Sequence, residues 1–164
     1  KKELAAGSPA KRAAAILSRG LVTAHENIIR EAGGDHKLCG KSAVVGLYLS
    51  GGEYTVVNAG DCRAYMGHGS QWKQLSIDDS LLRLLIERGD VSPEEAPTHP
   101  DQNILTQALG GASAPEPHIK TGHFSSANSF ITAKIARSFA VFAERHCLYI
   151  GRKQRRILKL QGIC

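Results

Sequence analysis

The stretch Tyr54-Thr-Val-Val-Asn-Ala-Gly-Asp61-Cys-Arg63-Ala-Tyr65 decides how this chain folds. Because β-branched and aromatic residues favour a pleated, half-buried surface, residues 55–59 predict a strand. Gly60 allows the backbone to turn sharply, and Asp61 then presents a carboxylate at the end of a rigid element. Asp after Gly is also common in turns for conformational reasons alone. The corner by itself therefore favours a turn over a functional site.

Short strands joined by glycine-rich turns surround this corner. Residues 42–49 predict the strand before it, and Ser50-Gly51-Gly52 predicts a tight hairpin connection. Beyond the corner, residues 63–67 and 71–75 predict two more strands, separated by His68-Gly69-Ser70. Together these segments predict an antiparallel meander of four strands.

Helical patterns lie on both sides of the predicted meander. Ser8-Pro9 combines a capping hydroxyl with a proline suited to the first helical position, and apolar residues recur at helical spacing until Gly33-Gly34. After the strands come a leucine-rich helix ended by Gly89, a capping-box sequence at 92–95 and a further short helix from 101 to 110. We expect the leucines of the second helix to be core residues.

The order of these motifs resembles the protein phosphatase 2C family, the metal-dependent serine/threonine protein phosphatases, and specifically its bacterial branch. Several motifs in one order are a more specific signal than any single motif. The matching pieces are Gly40-Lys-Ser-Ala-Val-Val45, Asn58-Ala-Gly-Asp-Cys-Arg-Ala-Tyr65, Leu75-Ser-Ile-Asp-Asp-Ser-Leu81, Gly89-Asp-Val-Ser-Pro-Glu-Glu-Ala96, Thr98-His-Pro100 and Leu105-Thr-Gln-Ala-Leu-Gly110. Four positions depart from the family: Cys62 stands where it usually has Ser, Lys41-Ser42 where it usually has Thr-Thr, and Asp79 where it usually has His.

The resemblance implies an α+β fold, a β-sandwich of two antiparallel sheets flanked by helices, here incomplete. It also implies hydrolysis of phosphoserine and phosphothreonine in phosphorylated proteins, with two Mg²⁺ or Mn²⁺ ions and a metal-bridged water. Asp61 matches an aspartate that contributes to a weaker third metal site in some family members. Residues 76–111 match the flap beside the active site, which influences substrate access and here contains Asp78, Asp79, Ser80 and His99.

The core metal ligands of the family have no counterpart in this sequence. The family holds its two core metals with an Asn-Glu-Asp segment, an Asp-Gly-x-Gly-Gly segment and later Asp-Gly and Asp-Asn pairs. This chain contains neither an Asp-Gly nor an Asp-Asn dipeptide. We therefore expect an incomplete copy of a phosphatase with little or no activity alone. We expect Arg63 to pair with a carboxylate within the fold rather than with a phosphate.

The chain has 164 residues, a length typical of a single domain. Its charge is unevenly distributed along the sequence. Residues 1–118 contain 12 Lys/Arg and 14 Asp/Glu, a net charge of −2, whereas residues 119–164 contain 9 and 1, a net charge of +8. The family would continue after residue 118 with paired strands and an Asp-Gly-Leu motif, but the resemblance ends there and the sequence contains no Asp-Gly-Leu. We therefore predict a partial phosphatase 2C-like domain at 1–118 and a basic, aberrant tail at 119–164.

Two explanations of this tail stay open. In the first the reading frame is shifted, since the codons permitted for residues 134–141, read two bases later, allow Asp-Arg-Ser-Phe-Leu-Cys-Ser, which resembles a family strand. In the second the tail is genuine and its apolar face would suit an anionic membrane surface or nucleic-acid phosphates, although basic runs are more often solvated. The alternative function is accordingly a non-catalytic, degenerate phosphatase that acts as an interaction module through its flap and basic tail.

The cysteine pattern and the hydropathy of the chain bear on its compartment. The four cysteines, at positions 39, 62, 147 and 164, include no C-x-x-C pair, and no secretory leader or membrane-length apolar run is present in the sequence. We therefore expect a soluble, cytoplasmic protein with reduced thiols. An incomplete sandwich also exposes sheet edges, which predicts association and marginal stability.

Overall fold

This computed structural model describes residues 7–133 of the chain. These residues form two antiparallel three-stranded sheets, and one long helix packs against the first sheet. The sheets have the strand orders β1-β2-β5 and β4-β3-β6. The predicted α+β fold with two antiparallel sheets is confirmed. The elements are α1 (Pro9–Glu31), β1 (Val44–Ser50), β2 (Glu53–Ala59), β3 (Arg63–His68), β4 (Gln71–Gln74), α2 (Leu81–Arg88), a 3-10 turn (Ala96–Thr98), β5 (His118–His123) and β6 (Ser129–Ala133).

The predicted meander is divided between the two sheets. β1 pairs with β2 from Val44–Ala59 to Ser50–Glu53, and β3 pairs with β4 in the other sheet. The corner at residues 60–62 therefore carries the chain from one sheet to the other. All four predicted strands are present, but their assignment to one meander is wrong. Glycine turns specify the two hairpins locally, whereas β5 and β6 take the positions beside β2 and β3 through long-range pairing.

The hydrophobic core lies between the sheets, and a second apolar cluster lies under α1. Because side chains alternate along a strand, one face of β2 points to each cluster. The inter-sheet core comprises Ala43, Val45, Leu47, Tyr54, Val56, Cys62, Ala64, Leu75 and Phe130. Under α1, the buried Val44, Ala59 and Leu109 pack with Leu21, Ala24 and Ile28.

The N-terminal end of α1 is fixed to β2 by polar contacts. Ser8 caps the helix as predicted, with its hydroxyl accepting a hydrogen bond from the N–H of Lys11. The Glu53 carboxylate accepts from the Ala10 N–H at 3.1 Å, and the buried Thr55 hydroxyl donates to the Ala10 carbonyl at 2.7 Å. These contacts set where the helix begins on the sheet.

The segment predicted to form the flap, residues 76–111, differs from its predicted secondary structure in two ways. α2 ends at Gly89 (φ +82°) as predicted, but residues 81–86 are only half-buried, so their expected place in the core is wrong. The reason is that α2 makes no extensive contact with either described sheet. Its Leu81 N–H instead donates to the Ile104 carbonyl of the same segment. The helix predicted from 101 to 110 is also wrong, because this segment forms extended bridges at Leu105 and Leu109 instead.

Strand pairing continues beyond residue 118, where the phosphatase 2C-like domain is predicted to end. The domain boundary itself stays a prediction. β5 begins at His118 and completes the first sheet beside β2, and β6 completes the second beside β3. Charge asymmetry marks the change in composition, but it does not report backbone pairing. Residues 134–141, on which the shifted-frame hypothesis depends, lie outside the described residues, as does the rest of the basic tail. Within residues 7–133, neither helix has the length and apolar character needed to span a bilayer.

Candidate functional site

The Gly60 corner is closed too tightly for any residue but glycine. Gly60 has φ +95°, a conformation that residues with a Cβ rarely adopt. A Cβ at this position would lie 2.4 Å from the Ala43 Cβ and 2.9 Å from its Cα. Gly60, which follows β2, therefore lies directly against Ala43, which precedes β1. From this corner the chain enters the second sheet.

Asp79 connects this corner to two other parts of the fold. Its side chain is almost fully buried, and its Oδ2 accepts a hydrogen bond from the Gly60 N–H at 2.8 Å. Its Oδ1 lies 2.7 Å from Nε2 of His118, the first residue of β5. Its backbone N–H donates to the Gly60 carbonyl, and its carbonyl accepts from the Thr106 N–H. Asp79 thus joins the corner, both ends of the flap and β5.

The neighbouring Asp78 is held in an ion pair by the strand that leaves the corner. Its Oδ2 accepts from Nε and Nη2 of Arg63 at 2.7 and 2.5 Å, and its Oδ1 accepts from Gln74 at 2.8 Å. The hydrogen bond to Asp78 raises the pKa of the Arg63 guanidinium above its ordinary value, so Arg63 stays charged at every accessible pH. The predicted pairing of Arg63 with a carboxylate of the fold is confirmed.

Two polar residues that the sequence analysis did not single out complete the network. The buried Asn58 binds both backbone groups of Ile77, donating from Nδ2 to its carbonyl and accepting at Oδ1 from its N–H. The Ser76 hydroxyl accepts from the Ala64 N–H at 3.0 Å. An asparagine inside an otherwise apolar strand run is a signal that could have identified the first, because buried polar groups need partners.

The remaining predicted flap residues have local roles in the structure. The Ser80 hydroxyl accepts from the Arg83 N–H and caps α2, one residue after Asp79. His99 accepts at Nδ1 from the Asp101 N–H within its own turn. The structure therefore brings Asp78 and Asp79 to the corner, whereas Ser80 caps α2 and His99 binds within its own turn. The influence of all four residues on substrate access stays a prediction.

The residues at the corner do not fit a dinuclear metal centre. Asp61 lies half-buried beside Gly60, but residues 7–133 contain no group of three or more His, Cys, Asp and Glu side chains placed to hold a metal ion. The carboxylates of Asp78 and Asp79 already accept hydrogen bonds from groups of the fold. Hard divalent cations require several oxygen ligands, so the described residues do not hold the pair of ions. A third-site role for Asp61 stays a prediction.

The sequence is similar to those of curated bacterial phosphatases over part of its length, although no protein-family model matches it. The serine/threonine phosphatase stp of Listeria welshimeri is 35% identical over 69 residues, which are 42% of this chain and 27% of the relative. The protein phosphatase PhpP of Streptococcus pneumoniae is 39% identical over 62 residues, 38% of this chain and 25% of the relative. The matched segments span about a quarter of these relatives.

Solved structures share the fold over a larger part of the chain. The serine/threonine phosphatase PstP/Ppp of Mycobacterium tuberculosis has a TM-score of 0.63 at 21% identity, covering 77% of this chain and 53% of that one. Stp1 of Staphylococcus aureus has a TM-score of 0.61 at 23% identity, covering 80% and 51%. A PstP catalytic domain, with a TM-score of 0.57, was solved with two manganese ions. Over these parts the chain is therefore similar in sequence and in fold to bacterial serine/threonine phosphatases of the protein phosphatase 2C type.

Proposed function

We propose that this chain provides part of the scaffold of a metal-dependent protein serine/threonine phosphatase domain, whose substrates are phosphoserine and phosphothreonine in cytoplasmic phosphoproteins. The observation that carries the proposal is the hydrogen-bonded corner, where Asp79 joins Gly60 to the flap inside a fold shared with such enzymes. The cysteine pattern supports the compartment. In this scaffold the corner would position the flap beside the reacting phosphate.

We propose further that the chain alone does not turn over substrate. The two ions supply a nucleophilic hydroxide and stabilise charge on the phosphoryl oxygens when they are bound. In this chain the carboxylates of Asp78 and Asp79 instead accept hydrogen bonds from groups at the corner, and the sequence lacks the Asp-Gly and Asp-Asn pairs of the resembled family. The residues of this chain would therefore orient the flap and not hold the ions.

The first test is hydrolysis of a phosphothreonine peptide by the purified 164-residue chain with Mn²⁺. We expect no metal-dependent turnover, with the Listeria phosphatase at equal molarity as the positive control. Asp61→Asn and the exposed Asp35→Asn are the matched pair of variants. Mn²⁺-dependent turnover that scales with protein concentration and is lost only in Asp61→Asn would show that the chain holds a working centre.

A chimera tests the scaffold itself. The 69 matched residues of the Listeria phosphatase would be replaced by those of this chain, so that the relative supplies its own remaining sequence. We expect the chimera to hydrolyse the peptide in the presence of Mn²⁺. A chimera that folds and binds Mn²⁺ but does not hydrolyse the peptide would contradict the phosphatase scaffold and favour the alternative, an interaction module.

A further inference from the structure

We propose that Asp79 and His118 form a clasp that positions the flap, residues 76–111, against the Gly60 corner. The two side chains come from segments 39 residues apart and meet with Oδ1 and Nε2 at 2.7 Å. The role of the flap in substrate access rests on the proposed function. The clasp itself rests on contacts that can be measured without catalysis.

Because Asp79 is buried, loss of its contact with His118 should cost free energy. The Asp79 side chain is 5% exposed and the His118 side chain 31% exposed. Each carboxylate oxygen has one donor, the Gly60 N–H or the His118 ring. A buried carboxylate that loses a donor retains its desolvation penalty without the compensating bond. Removing the imidazole should therefore weaken the bond of Asp79 to Gly60 as well.

Backbone pairing transmits the position of Asp79 to both ends of the flap. The Asp79 carbonyl accepts from the Thr106 N–H at 2.9 Å, and the Ile104 carbonyl accepts from the Leu81 N–H at 2.9 Å. The first turn of α2 and the returning segment of the flap are therefore held side by side at this residue. Displacement of Asp79 would release these two bonds together.

The same end of β5 is fixed to the corner by strand pairing. His118 lies opposite Asn58 in the register of β2 and β5, and Asn58 holds the backbone of Ile77 at the start of the flap. The imidazole is thus presented to Asp79 from a rigid sheet.

Amide hydrogen exchange of the full chain tests the clasp directly. In His118→Leu we expect the N–H groups of Gly60, Leu81 and Thr106 to exchange roughly tenfold to a hundredfold faster. His118→Gln retains an N–H donor and should keep most of the protection. His123→Leu, an exposed histidine of the same strand, is the matched control and should leave these amides unchanged. Unchanged exchange in His118→Leu, or equal acceleration in β3 and β6, would overturn the proposal.

A charge exchange supplies a second, independent measurement. Asp79→His places two imidazoles together, and His118→Asp places two carboxylates together, so each single variant should melt at a lower temperature. In Asp79→His/His118→Asp one ring nitrogen can accept from Gly60 while the other donates to the new carboxylate, and we expect a higher Tm than in either single variant. A double variant whose Tm does not exceed that of the more stable single variant would overturn the clasp, even if His118→Leu fails to fold.

Discussion

A side chain at position 60 would occupy space already filled by Ala43. We expect Gly60→Ala to lower the free energy of unfolding by about 2 to 5 kcal/mol, the sum of left-handed backbone strain and overpacking. Gly69→Ala is the matched control, since Gly69 also has positive φ (+58°) but its Cβ would meet nothing within 4 Å. That variant should lose only about 1 kcal/mol. Equal losses in urea denaturation would show that the contact with Ala43 is unimportant.

Because of the phenol of Tyr54, the stability of the fold should change with pH in the alkaline range. Burial in the inter-sheet core raises the pKa of Tyr54 above its ordinary value of about 10, because the phenolate is penalised there. The unfolded chain loses this proton first, so the stabilisation is present below about pH 10 and is lost as the pH rises through the folded-state pKa. We expect Tyr54→Phe to lose less stability than the wild type between about pH 9 and pH 11.

The control for this titration is the range below about pH 9, where both proteins should show parallel stability profiles in urea denaturation. Profiles that stay parallel up to about pH 11 would contradict the burial of the phenol.

At the scale of elements, α1 is attached to the first sheet at its N-terminal end by a buried hydroxyl. We expect Thr55→Val to cost about 1 to 2 kcal/mol of stability, since it removes the 2.7 Å bond to the Ala10 carbonyl at nearly constant volume. Thr121→Val is the matched control, because Thr121 lies opposite Thr55 in the register of β2 and β5. We expect it to change stability by less than about 0.5 kcal/mol. Similar losses in both variants would assign the effect to the sheet rather than to the helix contact.

At the scale of the whole molecule, the two sheets end on strands that pair on one side only within the described residues. β1 and β5 bound the first sheet, and β4 and β6 bound the second. Because unpaired edge groups are templates for pairing with another chain, we expect the weight-average mass to rise above 17.6 kDa with increasing concentration in sedimentation equilibrium. A constant monomer mass together with a sharp, high-temperature melt would contradict this expectation.

Local sequence patterns predicted much of the fold. The β-branched and aromatic residues between positions 42 and 75 predict four strands, and glycine turns predict their two hairpins. Ser8 and Gly89 predict a helix start and a helix end that the structure confirms. The family resemblance added the two-sheet architecture and the expectation of a carboxylate partner for Arg63. The strands, turns and helix ends depend on residues close together in the chain. The two-sheet architecture was inferred from the order of the motifs.

The sequence by itself determined the first four strands, the start of α1, the end of α2 and the glycine at the corner, because their conformations depend on neighbouring residues. Only the tertiary structure decided that the corner changes sheets, that β5 and β6 complete those sheets and that His118 meets Asp79. These contacts join segments tens of residues apart, and their stability depends on burial and backbone pairing that no local pattern records.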